Sequence, residues 1–373
     1  MRWPTVAIGE IACLLRNGMS IKQSPGAGGI PITRIETIAS ERINLSRCGY
    51  AGLERKDCSG WLLEYGDILI SHINSLAHLG KCAIFEDRAH EVAHGMNLLN
   101  LRVDQSVALP RFILHALRSK RFVAQISTIA KKSVNQASFN ISTFKELEIP
   151  LPPLEEQRRI AAILDQAQYI RDKAARRTDL LLALGRSLFI RSFGLPSENP
   201  YQLPLLKLID ICNPKQWPTI SSKQLRENGY PVFGANGLIG YFDSFNHPEP
   251  TVLVTCRGAT CGTVNISPPN CYVTGNSMAM DNPNPDLLTT EYLAWVLRLR
   301  GMNDVISGSA QPQITRQGLE AVTIPVPSIE AQNDFAKELS AVTRVTATSR
   351  ISENSICGVA DSLSARLFES SRK

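Results

Sequence analysis

Ile149-Pro150-Leu151-Pro152-Pro153-Leu154-Glu155-Glu156-Gln157 closes one stretch of mixed sequence and opens another patterned as helix. Further on, Ile324-Pro325-Val326-Pro327-Ser328-Ile329-Glu330-Ala331-Gln332 does the same. Proline lacks an N–H and restrains the residue before it, so both phrases are extended and helix begins only after them. An acidic residue follows each proline run, Glu155 and Glu330, where negative charge meets the positive end of a helix macrodipole. The chain therefore reads as module, helix, module, helix, with spans 1–150, 151–197, 198–327 and 328–373.

Downstream of the first start, apolar residues fall at Ile160, Ile163, Ala167, Ile170, Ala174, Leu181, Leu184 and Leu188. Steps of mostly three and four make the narrow stripe of a coiled-coil seam, on a helix of about 37 residues and roughly 55 Å. The second stripe runs Phe335, Leu339, Val342, Val345, Ile356, Val359, Leu363 and Leu367, with polar Thr348, Ser349 and Ser352 in its middle. Neither stripe can stay in water. Antiparallel pairing of the two helices is the economical solution and the one expected; packing of each helix on its own module is the alternative.

The repetition extends back into the modules. Asp67-Ile68-Leu69-Ile70-Ser71 parallels Thr251-Val252-Leu253-Val254-Thr255, and Gly95-Met96-Asn97 parallels Gly275-Asn276-Ser277. The helical run Phe112–Leu117 parallels Tyr292–Leu297, and Gln136-Ala137-Ser138 parallels Gln311-Pro312-Gln313. The fold class expected is α/β: two divergent α+β modules in tandem, each followed by a long helix.

At 373 residues and 43% hydrophobic content the chain can bury more than one core. No run approaches the roughly 18 apolar residues of a membrane span, and Met1-Arg2-Trp3-Pro4 opens no signal-peptide pattern, so no membrane association and a cytoplasmic location are expected. Nine cysteines are scattered and never spaced Cys-x-x-Cys, which points to reduced thiols and no metal site. The net charge of +6 is uneven: residues 1–154 hold 18 Lys/Arg against 13 Asp/Glu, while residues 193–329 hold 8 against 10. The first module favours a polyanion on bulk charge; the second needs local placement to do so.

Catalytic signatures are missing. Gly234, Gly237 and Gly240 lie three apart, outside the Gly-x-Gly-x-x-Gly order of a cofactor loop, and read as turn residues between short strands. Ser267-Pro268-Pro269-Asn270 lacks the leading Asn and trailing aromatic of an adenine methyltransferase motif, and no Walker loop occurs. His72 and His78 lie near Ser71 and Ser75 without a nucleophile elbow. No catalytic residue is assigned.

Together, the two proline phrases, the passage Gln157-Arg158-Arg159-Ile160-Ala161-Ala162-Ile163-Leu164-Asp165, and Tyr230-Pro231-Val232-Phe233-Gly234-Ala235-Asn236-Gly237 with Arg257-Gly258-Ala259-Thr260-Cys261-Gly262 resemble the specificity subunit of Type I restriction-modification systems. The resemblance covers essentially the whole chain. It implies two target recognition domains, each reading one half of a split double-stranded DNA site. It also implies long helices that set the gap between the halves and dock methyltransferase subunits, with a restriction/translocase subunit joining for cleavage. S-adenosylmethionine, ATP and Mg would then belong to those partners and not to this chain. Against it stand two rivals: a methyltransferase or nuclease with an unrecognised active site, and a scaffold that binds only protein.

Reading DNA requires phosphate anchors and base-edge contacts, supplied by Lys/Arg and by Asn/Gln/Ser/Thr. The candidates are Arg34, Arg42, Lys56, His72, Asn74, Lys81, Lys131 and Lys132 in the first module, and Lys223, Arg226, Asn236, Arg257 and Thr260 in the second. For helix pairing and partner docking they are Gln157, Ile160, Ile163, Leu164 and Ile170, with Gln332, Phe335, Leu339 and Val342 in the second copy.

Overall fold

The computed structural model describes residues 3–24, 26–133, 136–234, 237–308 and 311–369, without the side chains of 342–357, 360, 367 and 369. Two compact units divide the chain: Met1–Ala174 with Ile351–Lys373, and Ala175–Arg350. The division passes through both long helices, Leu154–Phe193 and Ile329–Ser364. Each unit is thus one module plus the start of one long helix and the end of the other, whereas the sequence boundaries at 150, 197 and 327 mark the order of segments along the chain.

In the first unit the strands are β1 (Thr5–Ala7), β2 (Ala12–Asn17), β3 (Ile68–Ser71), β4 (Ile73–Asn74), β5 (Cys82–Ile84), β6 (Leu98–Val103), β7 (Lys131–Lys132), β8 (Ala137–Ser138) and β9 (Glu148–Pro150). The main sheet has the order β2-β6-β3-β5. Both faces of β3 are covered, which is why Ile68, Leu69 and Ile70 are consecutive apolar residues and every residue in the strand, Ser71 included, is buried. On one face Ile68 and Ile70 join Phe112, Ile113 and Leu117 of the helix Pro110–Arg118. Ile160, Ala161, Leu164 and Ala167 of the first long helix belong to the same core, as does Phe368, whose ring lies 5.7 Å from that of Phe112.

In the second unit the strands are β10 (Leu205–Lys207), β11 (Asn213–Gln216), β12 (Tyr230–Gly234), β13 (Gly237–Phe242), β14 (Val252–Thr255), β15 (Val264–Ile266), β16 (Tyr272–Val273), β17 (Ser277–Asp281) and β18 (Thr323–Pro325). Its main sheet, β11-β17-β14-β15, repeats the order of the first. The helix Thr290–Arg300 covers it, and Tyr292 packs with Phe189 and Phe193 of the first long helix and Phe335 of the second in a four-ring cluster. A further sheet, β13-β12-β16, is reduced in the first module to isolated bridges, where Ile32 pairs antiparallel with Gly49 and parallel with Ala93 as β12 does with β13 and β16. Gly234 ends the first strand of the β12–β13 hairpin and Gly237, at φ +101°, opens the second, as turn residues do, but Gly240, also expected in a turn, lies within the second strand opposite Val232.

The proline phrases are strands before they are helix starts. β1 pairs antiparallel with β9, setting Val6 opposite Ile149, and β10 pairs with β18, setting Leu206 opposite Ile324. Leu151 N donates to Pro4 O and Val326 N to Pro204 O, both at 2.9 Å. Each module is therefore closed by its own first and last segments, and the long helix leaves from that clasp.

The seam expectation needs correction. Burial on the first long helix follows Gln157, Ile160, Ala161, Leu164 and Ala167, a face turned into the core of its own module, while Ile163 and Ile170 are only half-buried. Leu184, expected in the seam, is 41% exposed, beside Leu180 at 60%. Packing on the module, the alternative weighed above, accounts for the buried ends. The long helices also meet: Arg171 bonds Asp361 within the first unit, and Arg191 bonds Glu338 within the second. Opposite ends of the two helices share each unit, the order that antiparallel pairing requires.

Candidate nucleic-acid interface

Beyond its main sheet each module continues into a small exposed sheet edge. In the first, β3 passes through His72 into β4, and a three-stranded sheet forms in the order β4-β8-β7. Ile73 and Lys131 both lie opposite Ser138, and Asn74 and Lys132 both lie opposite Ala137. In the second, β14 passes through Cys256 to Arg257, which bridges Gln313, and Gln313 bridges Ser307. The joints match: Phe139 N donates to His72 O at 3.1 Å, and Ile314 N to Cys256 O at 3.0 Å. Gly258, at φ +88°, makes the turn that follows Arg257, so the loop bearing Ala259 and Thr260 stands exposed beside it.

This geometry sorts the candidate contacts. Lys131, Lys132, Lys223 and Arg257 are exposed, and among the described residues their side chains have no hydrogen-bond or ion-pair partner. Their charge is available to a phosphate or a base edge. Arg34 donates to Gln23, Arg42 pairs with Asp172, Lys56 with Glu54 at 2.7 Å and Arg226 with Asp243 at 3.3 Å. Lys81 donates to Ala39 O at 3.2 Å, and Asn74 to Ser71 Oγ at 3.1 Å. Ion pairs this exposed are weak, so those cations can be exchanged onto a ligand, but they start engaged. Thr260 is exposed and Asn236 lies outside the described residues.

His72 is a correction. It is 5% exposed, edge-on to Phe139, and burial lowers its pKa to about 4. A neutral imidazole in the module interior is a packing residue, not a contact to DNA. His94 behaves alike: it is fully buried, its Nε2 lies 2.9 Å from Leu98 O, and burial lowers its pKa to about 4.

The two glutamines named for partner docking are also corrected. Gln157 has no exposed surface; its Oε1 accepts from Leu109 N at 2.8 Å, and its Nε2 donates to Val107 O at 2.9 Å and Pro152 O at 2.8 Å. Gln332 does the same: Oε1 accepts from Thr289 N at 2.9 Å, and Nε2 donates to Leu287 O at 2.7 Å and Pro327 O at 3.0 Å. Each ties the proline phrase to the loop before the module's helix and to the first turns of the long helix. Ile160, Leu164 and Phe335 are core residues, and Leu339 packs at the edge of its core. Val342 lies outside the described side chains.

Among the described residues no three His, Cys, Asp or Glu side chains gather as a metal cluster, and no helix is long and apolar enough to cross a membrane. The buried thiols of Cys82 and Cys212 are pushed up to about 11 and about 12 by desolvation, which leaves them protonated and unreactive.

Two copies of one α/β module, each closed by a proline-rich strand that leads into a long helix, define a duplicated recognition scaffold. The model of the Type I restriction modification DNA specificity domain matches residues 2–177 and again 205–356, and the chain belongs to that family. The putative type I restriction enzyme MjaX specificity subunit of Methanocaldococcus jannaschii is 30% identical, over 91% of this chain and 86% of its own length. The EcoKI specificity subunit of Escherichia coli K12 is 24% identical over 48% of this chain and 40% of its own. The crystal structure of the Type I restriction-modification S subunit from M. genitalium superposes with a TM-score of 0.64 at 18% identity, covering 99% and 97% of the two chains.

Proposed function

We propose that this chain is the sequence-specificity subunit of a Type I restriction-modification complex, reading a bipartite site in double-stranded DNA with one module for each half. Duplication carries the reading: two modules of one sheet order present matching exposed edges, at Lys131 and Lys132 in one and Arg257 in the other. The long helices, which run from one unit into the next, set the gap between the half-sites. Exposed apolar side chains one turn apart on the first of them, Leu180 and Leu184, offer methyltransferase subunits a docking face. The chain supplies no active site of its own; S-adenosylmethionine enters with those subunits, and ATP and Mg with a restriction/translocase subunit.

Incubation of the purified chain with S-adenosylmethionine and DNA tests the division of labour. Methyl transfer is expected only when methyltransferase subunits are added, and transfer by the chain alone would contradict the reading. Removing seven residues from the middle of both long helices shortens each by roughly 10 Å, about three base pairs of duplex. The gap in the methylated site is expected to shrink with both half-sites kept, and an unchanged gap would refute the role given to the helices.

A further inference from the structure

At their exposed edges the two modules carry the same backbone and different side chains. Residues directly opposite one another on antiparallel strands project to one face. Each edge therefore presents a row of three: Ile73, Ser138 and Lys131 in the first module, and Arg257, Gln313 and Ser307 in the second. The middle position is Ser138 or Gln313, and in both rows one neighbour is a cation with no partner among the described residues. That cation stands on the outer strand in the first module, as Lys131, and on the inner strand in the second, as Arg257.

Elsewhere, equivalent positions that support the fold keep their chemistry. Gln157 and Gln332 make the same three bonds, and Ile149-Pro150 and Ile324-Pro325 make the same strand. A solvent-facing position whose backbone is duplicated but whose side chain is not is where two copies of one fold can prefer different sequences. Gln313 is exposed and its side-chain amide makes no hydrogen bond among the described residues. A free carboxamide presents an NH2 donor group beside a carbonyl acceptor, the pattern that matches N7 and N6 of adenine in the major groove. A serine hydroxyl donates and accepts at a single atom and discriminates less.

We propose that the middle residue of each row, Ser138 in the first module and Gln313 in the second, is a specificity-determining contact to a base edge, with Gln313 selecting an A·T pair. The neighbouring cation, Lys131 or Arg257, anchors the row on the duplex. This deepens the DNA-reading function proposed above and rests on it.

The test uses the full-length chain assembled with its methyltransferase subunits on a library of random DNA sequence, with methylated sites read by sequencing. For Q313S, preference at one A·T pair of one half-site is expected to fall by roughly 10- to 100-fold, the range of one bidentate base contact. The other half-site and the gap stay as they were. S138Q is expected to add a preference for an A·T pair in the other half-site, a gain that a folding defect cannot imitate. An unchanged motif in both variants overturns the proposal, and so does an equal loss on every sequence, which would mark a phosphate contact. If the unmodified complex shows no split motif at all, the functional reading fails first and the proposal falls with it.

Discussion

At the base of each module a buried glutamine makes one set of three bonds, to the same three places in the fold. At the exposed edge the modules part company: the first shows Lys131 and Lys132 on its outer strand, the second Arg257 on its inner one. Their interiors differ as well. Where the first module buries His72 and His94, the parallel positions of the second hold Cys256 and Thr274. Duplication has preserved the bonds that close the fold and released the side chains that face solvent or fill the space beneath it. Since the second module carries more acid than base, its attraction to DNA must come from where Arg257 and Lys223 stand, not from bulk charge.

The largest expected effect tests the shared part. Gln157→Leu leaves the Leu109 N–H and the Val107 and Pro152 carbonyls without this partner, of which the Pro152 contact is buried and the other two partly buried, at a cost of about 3 kcal/mol. Gln332→Leu removes the same three bonds and is expected to cost the same. Hydrogen exchange on the two variants checks this, each losing protection mainly in its own module; a cost confined to one of them would break the equivalence.

The buried His72 and His94 separate the modules by pH, whereas the buried imidazole of the second module, His247, lies 3.0 Å from Asp281 Oδ1. The folded pKa of His72 and His94, about 4, lies below the ordinary 6.5, so the unfolded chain takes up protons first as pH falls. Stability from these groups is complete above pH 6.5 and is lost as pH falls from 6.5 toward 4. The loss is on the order of 2 kcal/mol per imidazole by pH 5. Exchange followed from pH 7 to pH 5 is expected to show the first module opening ahead of the second, and equal loss in both would contradict the assignment of His72 and His94.

Smaller effects sharpen the edge comparison. Arg257→Ala is expected to weaken binding at one half-site by about 1–3 kcal/mol if its guanidinium reads a base. Lys131→Ala is expected to weaken all sequences alike and to lower the slope of log affinity against log salt by about one, as loss of a phosphate contact does. Competition binding across a salt series measures both. A sequence-dependent loss at Lys131 would reverse the roles of the two cations.

Much of the architecture was legible because proline and repetition leave few alternatives. Helix starts expected at Glu155 and Glu330 lie within one residue of the observed Leu154 and Ile329, since the long helices cannot extend back through those prolines. The strand expected at Thr251–Thr255 is Val252–Thr255. The buried face of the first long helix was not legible, because one of its members is Gln157 and another the small Ala161, and a count of apolar residues passes over both. Nor does apolarity say which partner covers a leucine, so Leu184 counted as seam and stands exposed. His72 looked available to DNA because it follows a strand. Only the continuation of that strand into β4, with Phe139 packed against it, shows that the imidazole turns inward. Of the candidate contacts, residue type picked out Lys131, Lys132, Lys223 and Arg257 together with cations already engaged, since pairing depends on neighbours remote in sequence.

The central claim is that two copies of one scaffold read two halves of one site. Mapping the adenines methylated by this chain with its methyltransferase subunits tests it most directly. A split motif is expected, two different short sequences separated by a gap of constant length and unspecified composition. A single continuous motif, or methylation without sequence preference, would contradict it.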